Sequence, residues 1–135
     1  MGMVDNNQAR IATALFWLRA SVFLVMLVWT LDKFLDPEHA ARVYKHFYFI
    51  GGLSKEAFYV IGLVELVILI GFLVGYRKKW TYGFVLVVHA ISTLSSYKKY
   101  TVDIGLLFFA AWPMLAACFA LYYLRDLDTK YTIGN

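Results

Sequence analysis

Residues 57–76 read AFYVIGLVELVILIGFLVGY, twenty positions with a single charged side chain, Glu65. A helix needs about 20 predominantly apolar residues to cross the hydrocarbon core of a bilayer. This run meets that length. The same reading applied outward finds three more such stretches: Ile11–Leu31, Trp80–Ser96 and Ile104–Leu124. The four together occupy most of the 135 residues. The predicted fold class is therefore all-α, an integral membrane four-helix bundle with up-down-up-down order, in a single domain over 1–135.

Composition agrees. The chain is 61% hydrophobic and 19% aromatic, against about 45–50% apolar in soluble domains. The net charge of +4 does not indicate a nucleic-acid partner. The basic residues flank apolar segments, where Lys and Arg anchor helices at lipid headgroups. The predicted partner is the lipid bilayer, together with other membrane or membrane-associated proteins. The single cysteine, Cys118, cannot form an intrachain disulfide, which excludes the thiol-relay class of membrane oxidoreductases. The N-terminal MGMVDNNQAR has one basic residue, and the apolar run after it is longer than a signal-peptide core. The first span is expected to be retained.

The connections carry readable signals. Asp36-Pro37 has the chemistry of an N-cap followed by the first helical position. Beyond it, Ala40, Val43, Tyr44 and Phe47 share one face, so residues 37–49 are predicted to form a short interfacial amphipathic helix, ended by Gly51-Gly52. Ser54 can cap the second span. Arg77-Lys78-Lys79 makes a tight basic turn into the third span. Pro113 is expected to kink the fourth. Short connections put both termini on one side. Arg10, Arg77, Lys78, Lys79, Arg125 and Lys130 then face Lys33, Arg42, Lys45, Lys55, Lys98 and Lys99 across the membrane, so a count of basic residues is tied. The dense Arg77–Lys79 cluster favours cytoplasmic termini.

Three ionisable side chains interrupt the spans: Arg19, Glu65 and His89. A charge at the centre of a membrane helix costs about 2.5–3.5 kcal/mol on insertion scales, so each needs a partner or a purpose. Counted from the terminal side of the spans at a rise of about 1.5 Å per residue, they lie about 12, 16 and 14 Å deep. This agreement predicts that they converge inside the bundle. One reading makes them a register-fixing polar pair plus a core histidine. The other makes them a ligand-binding or proton-handling site. His89 has no second in-span histidine to join it as a haem ligand, and His39 and His46 read as a solvated face, so no metal is predicted. Span three also carries Ser92, Thr93, Ser95 and Ser96. Their hydroxyls either bond their own i−4 carbonyls or line a polar cavity with Asp32, Lys33 and Asp103 at its mouth. Gly71 and Gly75 form a GxxxG pattern, which permits close intrachain packing or a homo-oligomer. No P-loop, HExxH, GxSxG or CxxC motif occurs.

With these elements placed, the chain resembles the DoxX-like family of small four-helix bacterial membrane proteins. Arg19 followed by Lys33-Phe34-Leu35-Asp36-Pro37 carries part of the likeness. So do Gly62-Leu63-Val64-Glu65 with Gly71 to Gly75 and a basic turn, and Asp103 opening span four. The resemblance implies four helices with cytoplasmic termini in a bacterial inner membrane. Because some members are linked to quinone-coupled sulfur oxidation or membrane oxidoreductase complexes, it also implies a subunit or accessory of a quinone-linked assembly. Two alternatives stand beside it: a non-catalytic scaffold or assembly factor, and a small proton-coupled transporter using Glu65.

Overall fold

A computed structural model describes residues 3–102 and 104–133, with side chains from residue 6 onward. Every regular element among them is helical. In order they are α1 (Met3–Leu35), α2 (Pro37–Tyr48), α3 (Lys55–Leu73), α4 (Lys78–Ser95), α5 (Lys98–Thr101), a 3-10 turn (Leu106–Ala110) leading into α6 (Ala111–Tyr123), and a second 3-10 turn (Arg125–Leu127). Three helices are long and apolar enough to cross a membrane: Asn6–Leu35, Lys55–Leu73 and Leu106–Tyr123. Helix α4 is not among them, because Lys78, Lys79, His89 and its hydroxyl side chains dilute its apolar content.

The buried positions of α1 are Ala12, Leu15, Arg19, Val22, Met26, Thr30 and Lys33. Those of α4 are Lys78, Tyr82, Val85, His89 and Thr93, with Ser96 buried at its C-cap. Both sets are spaced by three or four residues throughout, which keeps one seam facing the neighbouring helices. Helix α1 packs chiefly on α3 and α4 chiefly on α6. The shared apolar core holds Leu15, Val22 and Met26 of α1, Leu69 and Phe72 of α3, Tyr82 and Val85 of α4, and Cys118 and Leu121 of α6. The opposite faces are apolar too. Trp17, Leu24, Val28, Val60, Val67, Val87, Ile91 and Phe119 are all exposed, as expected where the outer solvent is hydrocarbon rather than water.

The local caps form as expected. Asp36 accepts from the His39 amide at 3.1 Å with Pro37 in the first turn of α2, and Ser54 accepts from the Ala57 amide at 3.2 Å. Helix α2 buries Ala40 and half-buries Val43, Tyr44 and Phe47, while Arg42, Lys45 and His46 are exposed. It ends at Tyr48, before the expected glycines, because Phe49 takes the left-handed cap conformation (φ 58°) and donates its amide to the Tyr44 carbonyl. The GxxxG glycines pack within the chain. A Cβ on Gly71 would stand 3.1 Å from Thr81 of α4, and one on Gly75 would stand 2.6 Å from Thr132 of the C-terminal segment. Pro113 lies near the middle of the Leu106–Tyr123 stretch, but not in the middle of an α-helix. The winding changes from 3-10 to α at Ala111, two residues before it, so the proline falls in the first turn of α6, where its missing N–H removes little.

Candidate functional site

Arg19, Glu65 and His89 do not converge. Each has its own partners, in three separate places. Arg19 is 1% exposed and donates through every guanidinium nitrogen. Its Nε bonds the Leu73 carbonyl at 2.9 Å, its Nη1 pairs with the Asp128 carboxylate, and its Nη2 reaches the carbonyls of Lys130 (2.7 Å) and Tyr131 (3.4 Å). Asp128 is fully buried and also accepts from the Tyr82 hydroxyl at 2.5 Å, while Lys78 Nζ donates to the Asp128 main-chain carbonyl at 2.5 Å. The arginine thus belongs to the end of the helices where α3 turns into α4.

The depth estimate fails because α1 begins at Met3, well before the apolar run, and at 33 residues is about 50 Å long. Arg19 lies level with Leu73, the last residue of α3. Glu65 is eight residues earlier in that helix, about 12 Å farther along the axis. There it receives Lys33 Nζ and the Thr30 hydroxyl, each at 3.1 Å and both on Oε2. Lys33 Nζ also stands 5.6 Å from the centroid of the Tyr44 ring, a cation–π distance. Burial pushes the Tyr44 phenol above its ordinary pKa, and the Glu65 carboxylate adds to that shift, so the hydroxyl stays a proton donor. Beside this group, His39 Nδ1 lies 2.6 Å from Asp32 Oδ2, with the histidine side chain 44% exposed. Helix α2 is therefore joined to α1 by the His39–Asp32 contact and by the Tyr44 ring at Lys33.

His89 faces α6 rather than either charge. Its Nε2 lies 3.0 Å from the Ala111 carbonyl, because α4 packs on α6 while α1 packs on α3. The span-three hydroxyls take the local option: Thr93 donates to the His89 carbonyl at 2.8 Å and Ser96 to the Ser92 carbonyl at 3.0 Å. The polar character of α4 is thus absorbed by its own backbone and by Tyr100, which donates to the Thr93 carbonyl at 3.1 Å. Asp103 lies outside the described residues. Among those described, no buried side-chain nitrogen or oxygen lacks a partner, and no group of three acidic, histidine or cysteine ligands comes together.

Two regions therefore replace the single predicted cluster. One is the closed network of Arg19, Lys78, Tyr82 and Asp128. The other joins buried Thr30 and Lys33 to partly buried Glu65 and Tyr44, flanked by Asp32 and His39, and it is the stronger candidate for chemistry because its flank is open, with the His39 side chain 44% exposed. Asp128 was missed by the sequence reading. The available signal was an acidic residue in a tail that returns to the same end as Arg19, but Asp126 fits that description equally and is exposed. No protein-family model, curated protein or solved structure gives a significant match to this chain.

Proposed function

We propose that the chain is a four-span bundle of a bacterial inner membrane, with both termini cytoplasmic, serving as a subunit or accessory of a quinone-linked membrane oxidoreductase assembly. Several observations support the four-span reading. Helices α1 and α3 run antiparallel, since Arg19 meets Leu73 and Phe34 meets Gly62. The segment after α6 returns to the Arg19 end, where Lys130 Nζ reaches Thr13 at 3.4 Å. Helix α4 carries exposed Val87, Ile91 and Leu94, and its polar side chains lie mainly on its buried seam. An apolar outward face on α4 like that of the other three helices supports the four-span reading despite its low apolar content. The resemblance to DoxX-like proteins supports the inner-membrane, oxidoreductase-linked role.

The half-buried Lys33–Glu65 pair beneath Tyr44 carries the ligand reading. A quinone exchanges two electrons and two protons, and its two carbonyl oxygens accept hydrogen bonds. Lys33 and Tyr44 are donors of the right kind, and the exposed His39–Asp32 contact lies between them and the aqueous side. Lys33 and Tyr44 would hold a headgroup, Glu65 would fix the ammonium while Thr30 holds Glu65, and electrons would come from a partner protein. The transporter reading requires Glu65 to release both Thr30 and Lys33 in every cycle and is not adopted. The test is photolabelling with a diffusible azidoquinone in nanodiscs. Label concentrated on peptides containing residues 30–48 and 58–65, and lost in Lys33→Met, supports the reading. Label spread evenly over the chain, or unchanged in Lys33→Met, contradicts the quinone site and leaves the scaffold reading.

A further inference from the structure

The segment after α6 folds back over the end of the helices and has no role in the reading above. Arg125–Leu127 form one 3-10 turn, and the chain then runs without regular structure to Ile133. Leu127 packs on the shared core. The Ile133 amide bonds the Val74 carbonyl at 2.9 Å. Thr132 rests on Gly75, whose φ of +70° and missing side chain make the close approach possible. Yet Tyr131 and Ile133, its other large apolar side chains, are 72% and 71% exposed. Apolar contact therefore holds the segment only at Leu127 and at the edge of Tyr131 against Phe16. Asp128 does most of the holding, with its carboxylate on Arg19 and Tyr82 and its own carbonyl on Lys78.

We propose that Arg19, Lys78 and Tyr82 form a socket for an aspartyl residue of an extended peptide, and that residues 125–133 are a detachable strap occupying it. The donors come from α1 and α4. Arg19 reads the carboxylate and, through Nη2, the main chain at Lys130 and Tyr131. Lys78 reads the carbonyl of the aspartate itself. Recognition thus covers one carboxylate plus the backbone on its C-terminal side, the pattern of a peptide site rather than of a free-anion site. The carboxylate is the one charged acceptor in the attachment, and charge-assisted hydrogen bonds are the strong ones, with the main-chain contacts to Arg19, Lys78 and Val74 adding to it.

The test uses the full chain in nanodiscs and reads amide exchange over residues 125–133. In the native protein the Leu127, Asp128 and Ile133 amides should exchange together and faster than α1 and α3, the signature of a local opening. Asp128→Ala should raise strap exchange by about 10- to 150-fold, the equivalent of one hydrogen bond to a charged group, with the helices still protected. Asp126→Ala should leave it unchanged. Formate should slow strap exchange in Asp128→Ala, and chloride at matched ionic strength should not. Unchanged strap exchange in Asp128→Ala, equal effects of formate and chloride, or equal release by Asp126→Ala would overturn the proposal. Should Asp128→Ala fail to fold, the native protein still decides: strap amides that exchange only together with α1 and α3 rule out a detachable strap.

Discussion

Replacing Arg19 and Asp128 by leucine, singly and together, separates the pairing seen here from the one expected on depth alone. Both side chains are essentially unexposed, at 1% and 0%, so solvent does not screen them. Removing one member of a buried ion pair costs about 3–5 kcal/mol, because the other is left charged and uncompensated. Asp128→Leu strands Arg19 and takes the acceptor from Tyr82. Arg19→Leu leaves Asp128 with Tyr82 alone on its carboxylate and strands the carbonyls of Leu73 and Lys130. The double replacement removes both charges and puts apolar volume in their place. It should therefore fall short of the sum of the singles by about 1.5–3 kcal/mol, the upper range of coupling for residues in contact. The same cycle built on Arg19 and Glu65 should be additive within about 0.5 kcal/mol, since those residues share no partner. Reversible unfolding in mixed micelles, followed by far-ultraviolet circular dichroism, supplies the free energies. Coupling to Glu65 with none to Asp128 would refute the assignment of Arg19 to the C-terminal segment.

Two further substitutions probe the α1–α3 packing and helix α2. A Cβ on Gly62 would lie 2.8 Å from the Phe34 ring, so Gly62→Ala should overpack the α1–α3 contact and cost about 1–3 kcal/mol. Combining it with Phe34→Leu should return part of that loss in the same unfolding assay, and additive losses would contradict the contact. Asp36→Ala removes the carboxylate that caps α2 and should cost about 0.5–2 kcal/mol, seen as faster exchange of the amides that open that helix. No change in those amides would mean the cap contributes nothing.

The features legible in the sequence are the local ones. Asp36-Pro37 and Ser54 announce helix starts through side-chain chemistry that acts within three residues, and both caps form. The apolar face of α2 follows from spacing within a single helix. The long apolar runs disclose the helices themselves, though α4 reads as a span only if its polar residues are known to face inward. Partnerships between helices were not legible. Depth counted from Ile11 placed Arg19 beside Glu65, but α1 extends past α3 at its start, and nothing within the apolar run marks that offset. Arg19 finds Asp128 because the chain returns after α6, a tertiary event that leaves no local signal. His89 turns to Ala111 because α4 packs on α6, which the order of the spans alone does not fix. Pro113 is mid-span in the apolar run, but α-helical winding begins only at Ala111, which puts the proline in the first turn of α6.

In the proposed four-span bundle α4 crosses the membrane despite its low apolar content. The location of the two termini tests this most directly, because four crossings return the chain to its starting side and three do not. Reporters fused to each terminus, one active only in the cytoplasm and one only beyond the membrane, read the two sides independently. The account predicts both termini in the cytoplasm. Termini on opposite sides would show that α4 does not cross, and would contradict the four-span bundle.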